Sequence, residues 1–234
     1  MQLTMWPFSR GNDDLAEAAR RGDLKAIRSL VAAGSNPDRT VRGYPLTVAI
    51  IAGQTKAAAL LIELGANVRF RDDQGRTPLF AAAFKNRVEA AKLLIAKGAN
   101  VNETEDMRAT PLHMAAHDGF AEFAELLLAN GARVDARDVH DATPLYIAAF
   151  EDHNAVLQIL LRAGADVNAR DKRGRTPLLA AVYGNQIDSV RSLLDKGADV
   201  NARDAEGLTI LERAEQFNVD KEIMAQLRGE SRRR

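Results

Sequence analysis

The tripeptide Thr-Pro-Leu returns at a step of 33 residues, at Thr77-Pro78-Leu79, Thr110-Pro111-Leu112, Thr143-Pro144-Leu145 and Thr176-Pro177-Leu178. One step earlier stands Tyr44-Pro45-Leu46, and one step later the motif decays to Thr209-Ile210-Leu211. A second ladder, Gly65, Gly98, Gly131, Gly164 and Gly197, keeps the same spacing, each glycine following an apolar pair such as Leu93-Leu94, Leu126-Leu127 or Ile159-Leu160. A fixed period of this length implies a supersecondary unit that cannot bury its apolar side alone. A core arises only when successive units stack.

One unit can be read residue by residue. Thr176 is a helix N-cap, and Pro177 suits the first helical position because its missing N–H has no partner there anyway. Leu178, Ala180 and Ala181 give a short helix whose small side chains permit close approach. Asn185 stands where that helix must turn, and Ile187, Val190, Leu193 and Leu194 mark a second, amphipathic helix. Gly197 supplies the left-handed turn at its end. From Val200 to Thr209 the run Asp204-Ala205-Glu206-Gly207 is a turn signal, so this stretch is expected to project as a hairpin-like finger. The first helix of successive units is predicted to end at Gly22, Gly53, Asn86, Gly119, Asp152, Asn185 and Asn218. Only residues that tolerate positive φ occur at these seven places.

The ends differ as end units should. Leu15 to Gly22 and Leu24 to Gly34 read as a helix pair with no preceding finger. The final pair, Leu211 to Asn218 and Lys221 to Leu227, carries Glu212, Arg213 and Glu215 on its first helix, as expected of a terminal unit with one face in water. The predicted architecture is an all-α repeat solenoid of seven helix pairs. It is expected to form a single domain over residues 12–228, with an N-terminal capping pair at 12–34, five central repeats at 37–202 and a C-terminal capping repeat at 203–228. Residues 229–234, ending in Arg232, Arg233 and Arg234, are expected to form a frayed basic tail.

These motifs resemble the ankyrin repeat family, in which a finger with Asp-x-x-Gly-x-Thr-Pro-Leu leads into a helix–turn–helix closed by Gly-Ala-Asp/Asn-Val-Asn-Ala. The best copies are Asp171 to Leu178 and Gly164 to Ala169. Departures are Arg108 and Asp141 at the turn glycine, Tyr44 at the cap threonine and Ile210 at the proline. The resemblance implies a stack of helix–turn–helix units joined by fingers. It also implies a non-catalytic protein–protein interaction module, engaging one or more partner proteins through finger tips and the exposed face of the first helices.

Equivalent places in successive units form rows. Six residues after the proline position stand Ile51, Phe84, His117, Phe150 and Tyr183, where framework demands are weak yet the side chains are bulky. This row is expected to be exposed near the helix ends and to form an interface, as ring-rich clusters do. The competing reading is that the rings pack against one another and the next finger. Two residues after the proline stand Thr47, Phe80, His113, Tyr146 and Leu179, with His113 read as structural and Phe80 and Tyr146 left open to either face. The finger tips contribute Met107, His140, Lys172 and Arg173, and the positions before the caps contribute Arg76 and Arg175. Asp118 and Glu151 lie near the helix ends. A further row, Arg71-Asp72, Thr104-Glu105, Arg137-Asp138, Arg170-Asp171 and Arg203-Asp204, is regular enough to read as framework. Its acids are expected to accept finger N–H groups and its arginines to pair with nearby carboxylates.

The chain has 32 basic and 32 acidic residues, which argues against a broad electrostatic grip on nucleic acid. A local basic patch around Arg170, Lys172, Arg173, Arg175 and Arg203 is the alternative reading, diluted by Asp166, Asp171, Asp199 and Asp204; a passive structural role is another. With no cysteine, a disulfide scaffold, a cysteine nucleophile and a thiolate metal site are excluded. His113, His117 and His140 are the only histidines spaced to suggest a metal, and they lack the accompanying glutamate of a zincin helix. No phosphate loop or nucleophile elbow occurs. The expectation is therefore no enzyme, no cofactor and no metal. No apolar run is long enough to cross a bilayer, and MQLTMWPFSRGNDD lacks the pattern of a secretory signal. A monomer in the cytoplasm is the expected state.

Overall fold

The computed structural model describes residues 14–40 and 43–233. Residues 12 and 13 of the expected N-terminal pair, and Arg234 of the tail, lie outside them. The chain folds as two compact units, Met1–Asp106 and Met107–Arg234. The boundary falls between the two residues of one finger tip, where no change of composition marks it.

The first unit holds α1 (Asp14–Arg21), α2 (Leu24–Ala32), α3 (Pro45–Ile51), α4 (Thr55–Glu63), α5 (Pro78–Phe84) and α6 (Val88–Ala96). The second holds α7 (Pro111–Asp118), α8 (Ala121–Ala129), α9 (Pro144–Phe150), α10 (Asn154–Arg162), α11 (Pro177–Tyr183), α12 (Ile187–Asp195), α13 (Ile210–Phe217) and α14 (Lys221–Arg233). Among the described residues there is no β-strand, only isolated bridges at the base of two fingers, Thr40 with Gly43 and Arg203 with Thr209. Within each unit, odd-numbered helices pack on odd-numbered neighbours, even on even, and each pair packs on itself. This is the all-α repeat arrangement that the period implied.

Local chemistry explains each boundary. Thr77, Thr110, Thr143, Thr176 and Thr209 accept a hydrogen bond from the N–H three residues on, and all but the last are followed by proline at the first helical position. Tyr44, which lacks a hydroxyl at the right reach, makes no side-chain cap. All seven predicted turn residues have positive φ, between 48° at Asn218 and 75° at Gly53. Inside, Leu79, Leu112, Leu145 and Leu178 of the first helices and Leu94, Leu127, Leu160 and Leu193 of the second are fully buried. The alanines Ala82, Ala115, Ala148 and Ala181 are fully buried as well. The absence of longer side chains there is what lets the short helices approach.

The fingers are tied together by a regular set of backbone bonds that the sequence did not announce. The second tip residue of one finger accepts from the first tip residue of the next: Asp106 N–H to Gln74 O at 3.1 Å in the first unit. In the second unit Val139 donates to Met107 at 2.9 Å, Lys172 to His140 at 3.0 Å and Ala205 to Arg173 at 2.8 Å. The framework acids behave as expected: Asp72, Asp138, Asp171 and Asp204 each accept two N–H groups of their own finger. Arg203 meets the expectation, lying 3.9 Å from Glu212, but its three counterparts correct it. Arg71 donates to Thr104 O, Arg137 to Arg170 O at 2.7 Å and Arg170 to Arg203 O at 2.7 Å. The guanidinium therefore satisfies a carbonyl of the following finger rather than a carboxylate. The nearby acids are already occupied by their own finger, and the carbonyl is left without a sheet partner.

Two other expectations are corrected. Residues 229–233 continue α14 instead of forming a frayed tail, because Gly229 does not take the left-handed conformation and no other stop signal intervenes. The charges on α13 are not simply a solvated face. Glu212 closes a capping box with Thr209, and Arg213 lies over the preceding finger with only 11% of its side chain exposed.

Arg108 and Asp141 take positive φ, 59° and 58°, where the other complete fingers have Gly75, Gly174 and Gly207. A non-glycine residue there carries a penalty of about 1–2 kcal/mol. Arg108→Gly is expected to raise stability by about 0.5–1 kcal/mol, the relief being partly offset by the greater freedom of glycine in the unfolded chain. Thermal unfolding checks it: a lower melting temperature would show that the Arg108 side chain, not its backbone, governs the finger.

Candidate functional site

In the first unit, Ile51 and Phe84 are half-buried, so the exposure expected for their row is only partial there. Arg76 is held in its own finger, its Nε donating to Asp72 at 2.8 Å, with 11% of the side chain exposed. It is framework, not a free contact. Phe80 is buried, which settles its role as packing.

In the second unit the row divides. His117 and Phe150 are exposed, and Tyr183 is half-buried. Tyr146, the counterpart of Phe80, is buried. Met107 and His140 stand exposed on finger tips, and His117 Nδ1 lies 2.7 Å from the Asp118 carboxylate. Glu151 is exposed at the end of α9. Four predicted residues, Phe150, Arg173, Arg175 and Tyr183, come together around a groove of about 520 Å³. Met107, His117, Asp118, His140, Glu151 and Lys172 do not line it.

The groove has an aromatic floor and a charged wall. Phe150 is 44% exposed and Phe217 57%, while the Tyr183 ring meets Phe217 edge-on at 4.8 Å between centroids. Arg175 lies over the Tyr146 ring at 5.4 Å and donates from Nε to Asp171 at 2.7 Å, so its plane is fixed from two sides. Arg213 donates from Nε to Asp204 at 2.6 Å and places its Nη2 2.6 Å from Glu206. This pairing replaces an interaction missing from that finger. Leu208 stands where Arg175 stands one unit earlier, so the outer oxygen of Asp204 is taken by the following helix instead.

Phe217 was not singled out from sequence, and Arg213, Asp204 and Glu206 were read there only as an end-unit charge, a framework acid and part of a finger turn. Phe217 falls one residue past the row of Phe150 and Tyr183, immediately before the turn residue Asn218. The preceding unit has Gly184 at that place. A ring where the neighbouring unit has no side chain was the available signal.

The resolved pKa shifts at this groove all move groups away from neutrality. Burial pushes the Tyr146 hydroxyl up to about 12 and raises that of Tyr183. Burial opposes ionisation of Asp204, but Arg213 and the N–H groups of Leu208 and Glu206 outweigh it and hold the carboxyl below its usual range. Arg213 is made more basic, first by Asp204 and then by Glu206. Fixed charges around a ring floor suit recognition; proton transfer near pH 7 wants the opposite.

His113 is structural. It is buried, accepts from Thr110 N–H at Nδ1 (3.1 Å), and therefore carries its proton on Nε2, which donates to Ala142 O at 3.2 Å. Both ring nitrogens are occupied, so it is not available to join His117 and His140 around an ion. Among the described residues no group of three or more His, Cys, Asp or Glu is placed to hold a metal. Burial lowers the His113 pKa from its ordinary 6.5. The unfolded chain thus binds the proton more readily, and the neutral ring's contribution is fully present above pH 6.5 and lost as pH falls through the folded value. His113→Leu, which copies Leu179 one step of two units on, is expected to flatten the loss of stability below that pH by up to about 1.4 kcal/mol per pH unit. Urea midpoints at mildly acid and neutral pH check this; an equal acid loss in both proteins would assign it to another group.

Comparison with family models matches residues 15–105 and 101–171 to ankyrin repeats (3 copies), and residues 160–214 to ankyrin repeats (many copies). No curated protein sequence matches the chain. Among solved structures, the crystal structure of the human ASB11 ankyrin repeat domain aligns with a TM-score of 0.80 and 30% identity, over 94% of this chain and 98% of that one.

Proposed function

Because the chain belongs to the ankyrin repeat family, whose members generally serve as protein-interaction modules, we propose that it is a non-catalytic binding protein that seats a partner protein in the groove of its second unit. One observation carries this reading: two exposed phenylalanine rings, Phe150 and Phe217, flank Tyr183 beside three arginines. Aromatic residues and arginine are the types enriched in the buried centres of interfaces and among their energetic hot spots. Packing does not account for the two phenylalanines, since each leaves about half of its surface in water. The rigid finger ladder behind them lowers the ordering cost of binding, because the contact residues are held before the partner arrives. Among the described residues no helix is long and apolar enough to cross a membrane.

A photo-crosslinking amino acid placed at Phe150 and, separately, at Glu125 on the exposed face of α8 tests the location. In source lysate, one partner band is expected from position 150 and none from position 125. Equal labelling from both, or labelling from 125 alone, would remove the groove from consideration and favour a passive role or another surface.

A further inference from the structure

The charges around the groove are unequal in how they are spent. Arg213 holds Asp204 and Glu206, and Arg175 holds Asp171. Every carboxylate in the wall is thereby committed to a cation already present. Arg173, on the wall, and Lys172, beside it on the same finger tip, are both exposed, and among the described residues neither has a carboxylate at ion-pair distance. Their backbone is nevertheless fixed. Lys172 N–H donates to His140 O at 3.0 Å, Arg173 N–H to Asp171 at 2.9 Å, and Arg173 O accepts from Ala205 at 2.8 Å. Two unspent cations are thus presented from a rigid tip at the edge of a ring floor. Past Phe150, outside the lining of the groove, the sign reverses. The helix α9 starts beside its finger and runs for seven residues, about 10 Å, to Phe150, and the exposed Glu151 and Asp152 follow.

Resting on the groove reading above, we infer that the occupant is a peptide segment with a carboxylate beside a bulky apolar side chain. Arg173 and Lys172 hold the carboxylate, and the apolar group sits on Phe150, Tyr183 and Phe217. The acidic side of the segment points to the finger tips and any basic residue to Glu151 and Asp152, which gives the bound chain a direction. A single carboxylate is matched by two free cations. A run of phosphates needs a run of cations, and the other two arginines of the wall, Arg175 and Arg213, are already held by Asp171, Asp204 and Glu206.

The test is selection of a random display library of short linear peptides on the full chain, with the Phe217→Ser chain as the counter-selected control. The enriched peptides are expected to carry Asp or Glu within three residues of an aromatic or aliphatic residue. By fluorescence polarisation the leading peptide should bind the Lys172→Glu/Arg173→Glu variant about tenfold more weakly. Exchanging the peptide's acid for Lys should restore that loss. Peptides that depend on Phe217 but show no acidic bias would overturn this inference and leave the groove reading standing. Peptides indifferent to Phe217→Ser would overturn both. No enrichment above the control would overturn the inference alone, the groove then being judged by crosslinking at position 150. A single-stranded oligonucleotide that displaces the peptide at lower concentration would assign the cations to nucleic acid instead. Equal unfolding midpoints for wild type and each variant exclude misfolding as the cause of lost binding.

Discussion

Phe123→Ala is expected to destabilise the second unit by about 3–5 kcal/mol, the range for removing a large ring from a core. Phe123 is fully buried and is the largest such side chain among the described residues; one helical turn on, Leu127 is equally buried. Their helix, α8, packs on α7 and α10. Those helices carry the fully buried Ala115, Ala116 and Leu157, and their backbones are fixed by the cap at Thr110 and turns at Gly119 and Asp152. Such a site collapses poorly, so the cavity remains and the loss lies toward the upper end. Leu127→Ala should follow at about 2–5 kcal/mol. Urea titration of each variant checks this, and a shift near measurement error would mean that the two helix layers are not packed as described.

The second large effect concerns binding. Phe150→Ala with Phe217→Ala is expected to weaken partner affinity by more than about 30-fold, as for hot-spot rings worth at least about 2 kcal/mol. The melting temperature should fall much less than for a core variant, since about half of each ring is already in water and the double variant gives up only the edge-on contact of Phe217 with Tyr183. Tyr183→Ala should behave differently. Its ring is half-buried and meets Phe217 edge-on, so both affinity and stability should fall. If the double variant instead melts early with its affinity unchanged, the rings belong to the framework. Isothermal calorimetry beside differential scanning calorimetry separates the two cases.

Much of the fold was legible because its signals are local. A threonine before proline caps a helix by its own hydroxyl, and Gly, Asn or Asp at a turn adopts positive φ by its own sterics. Seven such turns therefore read correctly from one-dimensional spacing. Even the two departures, Arg108 and Asp141, keep the left-handed turn because the surrounding finger overrides a residue's own preference. The candidate site was legible only in part. Phe150, Arg173, Arg175 and Tyr183 were marked by their rows, and the groove gathers them. Arg76 sat in an equally promising row and proved to be bound within its finger. The exposed Phe217 and the bridging Arg213 were missed because their importance comes from what the adjacent unit lacks. Phe217 stands where the preceding unit has Gly184, and Leu208 leaves an acid free for Arg213.

By itself the order of residues determined the repeat length, the helix ends, the inward-facing leucines and alanines, and hence the family. All of these follow from periodicities and dihedral preferences that act within a few positions of one another. Tertiary structure alone decided which arginines are free. Arg71, Arg137 and Arg170 reach a carbonyl 33 residues away, Arg213 reaches back nine residues to Asp204, and Arg173 reaches no carboxylate among the described residues. A long flexible cation takes whichever acceptor the neighbouring unit brings within its reach, and that acceptor is set by stacking rather than by anything in its own stretch of chain.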